Sequence, residues 1–188
     1  MRMIINKTVK IGQQTWMAEN LNVDNYRNGD PIPEVEDPTE WKNLTTGAWC
    51  YYGNNPENGK KYGKLYNWDA VNDPRGLAPD GWHIPTEAEF EILEAAVYKD
   101  GNALKAIGQG SGGGDGTNTS GFSAQLAGFR NTVGDFYRLE TNAYFWSSTL
   151  SEEDDGAFGL QLESGGTVNL NGDSATEDGF SVRCVKDY

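Results

Sequence analysis

One histidine, two cysteines and 28 acidic side chains are the groups in this 188-residue chain that could move protons, attack a carbonyl or hold a metal. His83 lies between Trp82 and Ile84 with no Ser, Cys or Asp adjacent to complete a nucleophile–base pair. It therefore reads as a hydrogen-bonded structural residue. A single histidine with cysteines at 50 and 184 excludes an ordinary four-ligand zinc site. Glu152-Glu153-Asp154-Asp155, and Asn171-Gly172-Asp173 with Asp178, supply the hard oxygens that calcium takes. Consecutive carboxylates point in different directions, however, and a solvated acidic turn is the reading preferred. A glycosidase-type pair would need Glu40 to face Asp69 or Glu19 at about 5–10 Å, and nothing in their spacing selects a pair. Gly108, Gly110 and Gly113 spell G-x-G-x-x-G, but the motif follows a helical pattern and opens more loop. A dinucleotide fingerprint needs the opposite context.

Aromatic residues carry the remaining chemical hint. Tyr51, Tyr52, Tyr137, Tyr144 and Phe145 lie in strand-like segments or at their ends. An outward-facing ring beside Asn, Asp or Arg suits a sugar, whose C–H face stacks while its hydroxyls find hydrogen bonds. The alternative is that these rings fill the core, as aromatics in strands commonly do.

The elements that must position these groups follow from local signals. Thr86 with Glu89 forms a capping box after Pro85, and Phe90, Leu93 and Val97 then recur on one side with Ile92 and Ala96 beside them. That spacing predicts a helix over 86–98. A second short helix is expected over 102–107, and a helical turn at Thr39-Glu40-Trp41. Residues 9–11, 16–21 and 48–52 read as strands, and 62–71 as a buried strand or short helix. Residues 122–126, 128–130, 135–139, 144–148, 156–162, 167–170 and 180–185 form a β-rich last third, with a hairpin across Ser164-Gly165-Gly166. Helices in the middle followed by antiparallel strands predict an α+β fold in a single domain, 1–188. Residues 108–121, half of them glycine, predict a flexible internal loop.

Composition narrows the partners. Fifteen Lys and Arg against 28 acids give a net charge of −13, so nucleic acid and anionic lipid are not expected. No apolar run approaches the ~18 residues of a membrane span. The first residues hold too short an apolar segment for a secretory signal, so the protein either stays inside or begins after a removed leader. Two cysteines allow one bridge and no disulfide framework.

Seven segments in order resemble the Fibrobacter succinogenes major paralogous domain family. They are 11–21 (IGQQTWMAENL), 46–52 (TGAWCYY), 62–68 (YGKLYNW), 76–86 (GLAPDGWHIPT), 120–124 (SGFSA), 146–149 (WSST) and 179–185 (GFSVRCV). The resemblance implies a C-type-lectin-like fold related to the sulfatase-modifying factors, an extracytoplasmic location (secreted or at the cell surface) and no established catalytic function. Family members often carry a cysteine where this chain has Ala78, which leaves Cys50 as the only candidate disulfide partner of Cys184. Sulfatase-modifying enzymes use a cysteine pair near the domain's end, and this chain has one there, so that activity is not implied. Sugar-binding C-type lectins hold calcium through a Pro-containing tripeptide followed by Trp-Asn-Asp. Here Trp146-Ser147-Ser148-Thr149 lacks those ligands, so no cofactor is expected, calcium remaining the one candidate.

Ligands of that fold meet loops before and within the final strands, which makes Arg130, Tyr137, Arg138, Tyr144 and Glu152 the expected ligand-binding residues. The expected function is non-catalytic recognition of a glycan or a surface protein. A carboxylate-pair enzyme acting on glycans and a purely structural surface module are the alternatives.

Overall fold

The computed structural model describes residues 7–151 and 156–188. It is a mixed α+β fold of several small sheets and few helices. Thr8–Ile11 (β1) and Gln14–Met17 (β2) form a hairpin that pairs Thr8 with Met17. Helices Pro38–Lys42 (α1), Pro56–Tyr62 (α2) and Trp68–Val71 (α3) then alternate with the two-residue strands Trp49–Cys50 (β3) and Leu65–Tyr66 (β4). Their starts are set by caps: Asp37, Asn55 and Asn67 each accept a backbone N–H from the first turn, and Pro38 and Pro56 occupy positions where no donor is needed.

Trp82–His83 (β5) leads into Glu87–Ala96 (α4), followed by Gly101–Leu104 (α5). The expected capping box is present. Thr86 Oγ1 accepts from the Glu89 amide at 3.3 Å, and Glu89 Oε2 accepts from the Thr86 amide at 2.9 Å. Phe90, Leu93 and Val97 are buried, whereas Ile92 and Ala96 face outward.

The last third holds Ala127–Arg130 (β6), Phe136–Leu139 (β7), Asn142–Leu150 (β8), Gly156–Glu163 (β9), Val168–Ala175 (β10) and Val185–Lys186 (β11). One sheet runs β1-β2-β11-β5, a second β10-β9-β8-β6-β7, and β3 pairs with β4. Within the second sheet β6 and β8 are parallel and the other pairs antiparallel. Residues 122–126 form no strand. They are held irregularly, with the Leu126 amide donating to Gln109 Oε1 at 2.8 Å. Residues 62–71 combine both expected alternatives: the end of α2, then β4, then α3.

The period of two along β8 divides the core. Trp146 points into a cluster with Tyr66, Trp68, Trp82 and Phe180, while Ala143 and Phe145 point into one with Trp16, Phe90, Phe122 and Leu160. Trp146 is fully buried, stacks on Phe180 at 4.1 Å and donates its indole N–H to the Tyr66 carbonyl at 2.8 Å. The central sheet is thus anchored on both faces, which makes it a stiff support for side chains at its margin.

One expectation is corrected. Cys50 and Cys184 are free and buried in different clusters, Cys50 with Val35 and Trp41, Cys184 with Met17 and Trp82. Burial pushes both thiols up to about 12, so neither is a thiolate at neutral pH. The glycine-rich segment is exposed or half-exposed except at Gly114, where it is fastened to its neighbours. The buried Lys105 ammonium donates to the carbonyls of Gly114, Glu163 and Ser164, tying it to the β9–β10 turn. A Cβ on Gly114 would collide with the backbone of Ser164 and Gly165, so glycine serves close approach there. Among the described residues no helix is long and apolar enough to cross a membrane.

Candidate functional site

An aromatic row crosses three strands at the margin of the second sheet. Phe129 on β6 stands opposite Tyr137 on β7, their ring centroids 6.0 Å apart. On its other side Phe129 lies 4.9 Å from Tyr144 of β8. Phe180 underlies the row, 5.0 Å from Tyr144 and 5.9 Å from Phe129, and is itself stacked on Trp146. Tyr137 is 47% exposed, Phe129 and Tyr144 are half-buried, and Phe180 is buried. The row therefore offers ring faces above a rigid aromatic base.

Local sequence sets this arrangement. The β6–β7 turn closes on Asn131, whose side-chain oxygen accepts from Val133 and Asp135 while its amide donates to the Asp135 carbonyl at 2.8 Å. Gly128 has a φ of 64°, a left-handed conformation that bends β6 between Ala127 and Phe129. Arg138, between Tyr137 and Leu139, is likewise left-handed, with a φ of 65°.

Polar groups rim the row. Gln161 pairs with Tyr144 across the sheet and donates to Glu163 Oε1 at 3.0 Å. Burial pushes the Tyr144 hydroxyl up, with Arg138 opposing and Glu163 and Asp178 reinforcing the shift. Burial also pushes the Asp178 carboxyl up to about 7, against a hydrogen bond from the Thr132 amide, so a proton-donating carboxyl persists there near neutrality. The rim thus combines a cation, an amide and carboxyl groups around an apolar strip. That combination can bind an amphipathic ring and contains no nucleophile–base pair.

Of the five expected ligand residues, the structure brings Tyr137, Arg138 and Tyr144 together. Arg130 goes elsewhere: it is fully buried, with its guanidinium donating to the carbonyls of Gly134, Val35 and Glu36. Strand alternation is the reason, because Phe129 and Arg130 point to opposite faces and Phe129 takes the outer one. Glu152, with the rest of the 152–155 acidic run, lies outside the described residues. Phe129, Phe180 and Gln161 are not among the expected ligand residues, and Asp178 is expected only as a calcium oxygen; alternation through residues 128–130 separates Phe129 from Arg130 but does not set it between Tyr137 and Tyr144. Phe145 is buried; Tyr51 packs edge-on against Trp49 at 5.0 Å, and Tyr52 lies 5.2 Å from Phe136.

The carboxylates considered for catalysis have different surroundings. Glu19 pairs with Lys7 at 3.2 Å, Glu40 lies in the first turn of α1, and burial, then Glu177 and Asp73, raise the Asp69 carboxyl. Among the described residues no group of three or more His, Cys, Asp or Glu side chains is gathered as for a metal.

His83 is clasped between Asp187 and Glu89. Nδ1 lies 2.7 Å from Asp187 and Nε2 2.7 Å from Glu89, which also receives the Tyr188 hydroxyl at 3.4 Å. Burial alone would lower the imidazole, but the two carboxylates outweigh it and hold it above 6.5. Burial would raise Glu89, but the Thr86 amide and His83 outweigh it and hold it below 4.5. The raised His83 contributes stability that is complete below 6.5 and lost as pH rises through its folded value. The lowered Glu89 contributes stability that is complete above 4.5 and lost as pH falls through its folded value. The clasp is therefore tightest between pH 4.5 and 6.5. Asp178, raised from 3.8 to about 7, adds its own loss of stability as pH climbs through that interval. In His83→Gln the alkaline decline of the urea midpoint should become shallower than in the unsubstituted chain. Identical declines would show that the clasp carries no titrating stability.

No curated protein and no solved structure matches the chain closely enough to count as a relative. The family comparison gives a clear answer: the Fibrobacter succinogenes major domain matches residues 9–186, nearly the whole chain, and the protein belongs to that family.

Proposed function

We propose that this protein is a non-catalytic recognition domain of C-type-lectin-like architecture, working outside the cytoplasm and holding a saccharide against its aromatic row. The carrying observation is the Tyr137–Phe129–Tyr144 strip, solvent-accessible at one end and backed by Phe180. Tyrosine presents a rigid apolar face with a hydroxyl at its tip, so a sugar ring can stack while its hydroxyls reach polar partners. Gln161, paired with Tyr144, and Arg138 and Asp178, whose charges act on it, are the polar groups we assign to receive them. Loops and strand margins of a stiff scaffold can vary without disturbing the core, which suits recognition.

A glycan-array screen run with calcium and again with chelator tests the proposal. Saturable binding that survives the chelator is expected. Tyr144→Ala and Tyr137→Ala should each weaken it about tenfold, the scale of losing one stacked ring. Absence of binding to any glycan, or binding indifferent to both substitutions, would overturn the assignment.

A further inference from the structure

In a chain with a net charge of −13, one cleft collects cations. Its volume is about 490 Å³, ample for one or two sugar rings, and Lys7, Lys60, Lys61 and Arg183 line it together with Glu19. Arg183, only 1% exposed, forms the floor. Nε donates to Asn20 Oδ1 at 3.2 Å, Nη2 donates to the same oxygen, and Nη1 donates to the Phe122 carbonyl. The rings of Phe122 and Phe145 lie 4.4 and 5.4 Å from the guanidinium carbon.

All of these partners are neutral. Among the described residues Arg183 makes no ion pair. Burial pulls its guanidinium down to about 9, with Glu19 opposing, so it stays protonated at neutral pH. A desolvated charge without a counter-charge is costly, and an anion entering the cleft would relieve that cost. Arg130 is also held by neutral carbonyls but is not part of the cleft wall.

The rim cations are paired loosely. Lys60 meets Glu57 at 2.6 Å, Lys61 meets Glu140 at 3.4 Å and Lys7 meets Glu19 at 3.2 Å, every one of these side chains being at least 48% exposed. Exposed pairs exchange readily for a better anion. Asn118, Ser123 and Gln125 on the same wall offer hydrogen bonds suited to hydroxyls. The floor and sides come from segments quoted above for the family resemblance: Glu19 and Asn20 from the first, Tyr62 and Gly63 from the third, Gly121 and Ser123 from the fifth, and Arg183 from the last.

We infer that this cleft binds an acidic saccharide, its carboxylate drawn to Arg183 and the lysine rim and its hydroxyls met by the neutral wall. None of these residues belongs to the aromatic row, so the cleft and the row stand or fall separately. Calorimetric titration of the chain with trigalacturonate, maltotriose and hexaglutamate, each in low and in high salt, tests the inference. Trigalacturonate should bind at least about tenfold more tightly than either of the others, and several-fold more weakly once salt screens the rim. Lys60→Glu with Lys61→Glu, on an exposed helix end, should weaken it by a further factor of about ten, while the same reversal at Lys42, exposed on α1 and outside both the cleft and the row, leaves it unchanged. Equal binding of maltotriose would remove the charge from the argument. Equal or tighter binding of hexaglutamate would assign the cleft to acidic peptide. No binding of trigalacturonate, or binding insensitive to the lysine reversals, would overturn the site itself.

Discussion

Arg130→Ala is expected to cost about 3–5 kcal/mol of stability, close to the largest single-residue effect a domain of this kind tolerates. Arg130 has no exposure, and its three donating nitrogens reach Gly134 at 3.0 Å, Val35 at 2.6 Å and Glu36 at 2.8 Å. Its plane is filled on either side by Trp41, 4.4 Å from the guanidinium carbon, and Phe136, 4.9 Å away. Truncation strands the Gly134 and Val35 carbonyls, which burial keeps from water, at about 1–3 kcal/mol each, removes the donor to the part-buried Glu36 carbonyl, and opens a cavity between two rings. Relief from holding a desolvated charge offsets part of that loss. Arg130→Met separates the terms, because it restores volume without donors and should recover only the cavity share. Urea unfolding measures all three proteins. A loss below about 1 kcal/mol for the alanine variant would mean that water replaces the guanidinium at no cost.

The same residue shows why part of this structure was legible in the sequence and part was not. Thr86 with Glu89, the Ser164–Gly166 turn and the alternating strands act over two to four neighbours, so their chemistry is written locally and the structure reproduces it. Arg130 reaches carbonyls 95 and 94 positions away, and no local pattern announces such partners. Tyr137 and Tyr144 could be picked out as candidates, but Phe129, which joins them, requires knowing that β6 runs between β7 and β8. The glycine-rich segment shows a related contrast at Gly114. Composition describes the freedom of the unfolded chain, whereas Lys105, three carbonyl partners and a backbone approach closed to any Cβ decide the folded one. Cys50 and Cys184 could be paired on paper because Ala78 stands where family members often carry a cysteine; their two clusters separate them.

Gly128→Ala should be damaging both to stability and to saccharide binding, and for one reason. Gly128 is left-handed at a φ of 64°, a region that costs an alanine about 1–2 kcal/mol. A methyl group there would also press on the Tyr137 carbonyl, and it would stand 2.8 Å from both the Leu139 amide nitrogen and the Tyr52 ring. Backbone cannot swing aside as a side-chain tip does, so β6 and β7 must separate, adding an overpacking cost of about 1–3 kcal/mol. That separation moves Phe129 away from Tyr137, the contact on which the aromatic row depends. Gly165→Ala is the matching control: no atom lies within 4 Å of its added Cβ and its φ is not in the left-handed range, so it should fall within about 0.5 kcal/mol of the unsubstituted chain. Urea unfolding with glycan titration of both variants distinguishes the outcomes. If Gly128→Ala matches the control in stability, the strands accommodate the methyl group and the bend in β6 does not set the row. If it is destabilised yet binds glycan as before, the saccharide does not depend on the Phe129–Tyr137 contact. A row set by the bend in β6 requires both losses together, because that single backbone bend carries the strand pairing and the alignment of the rings.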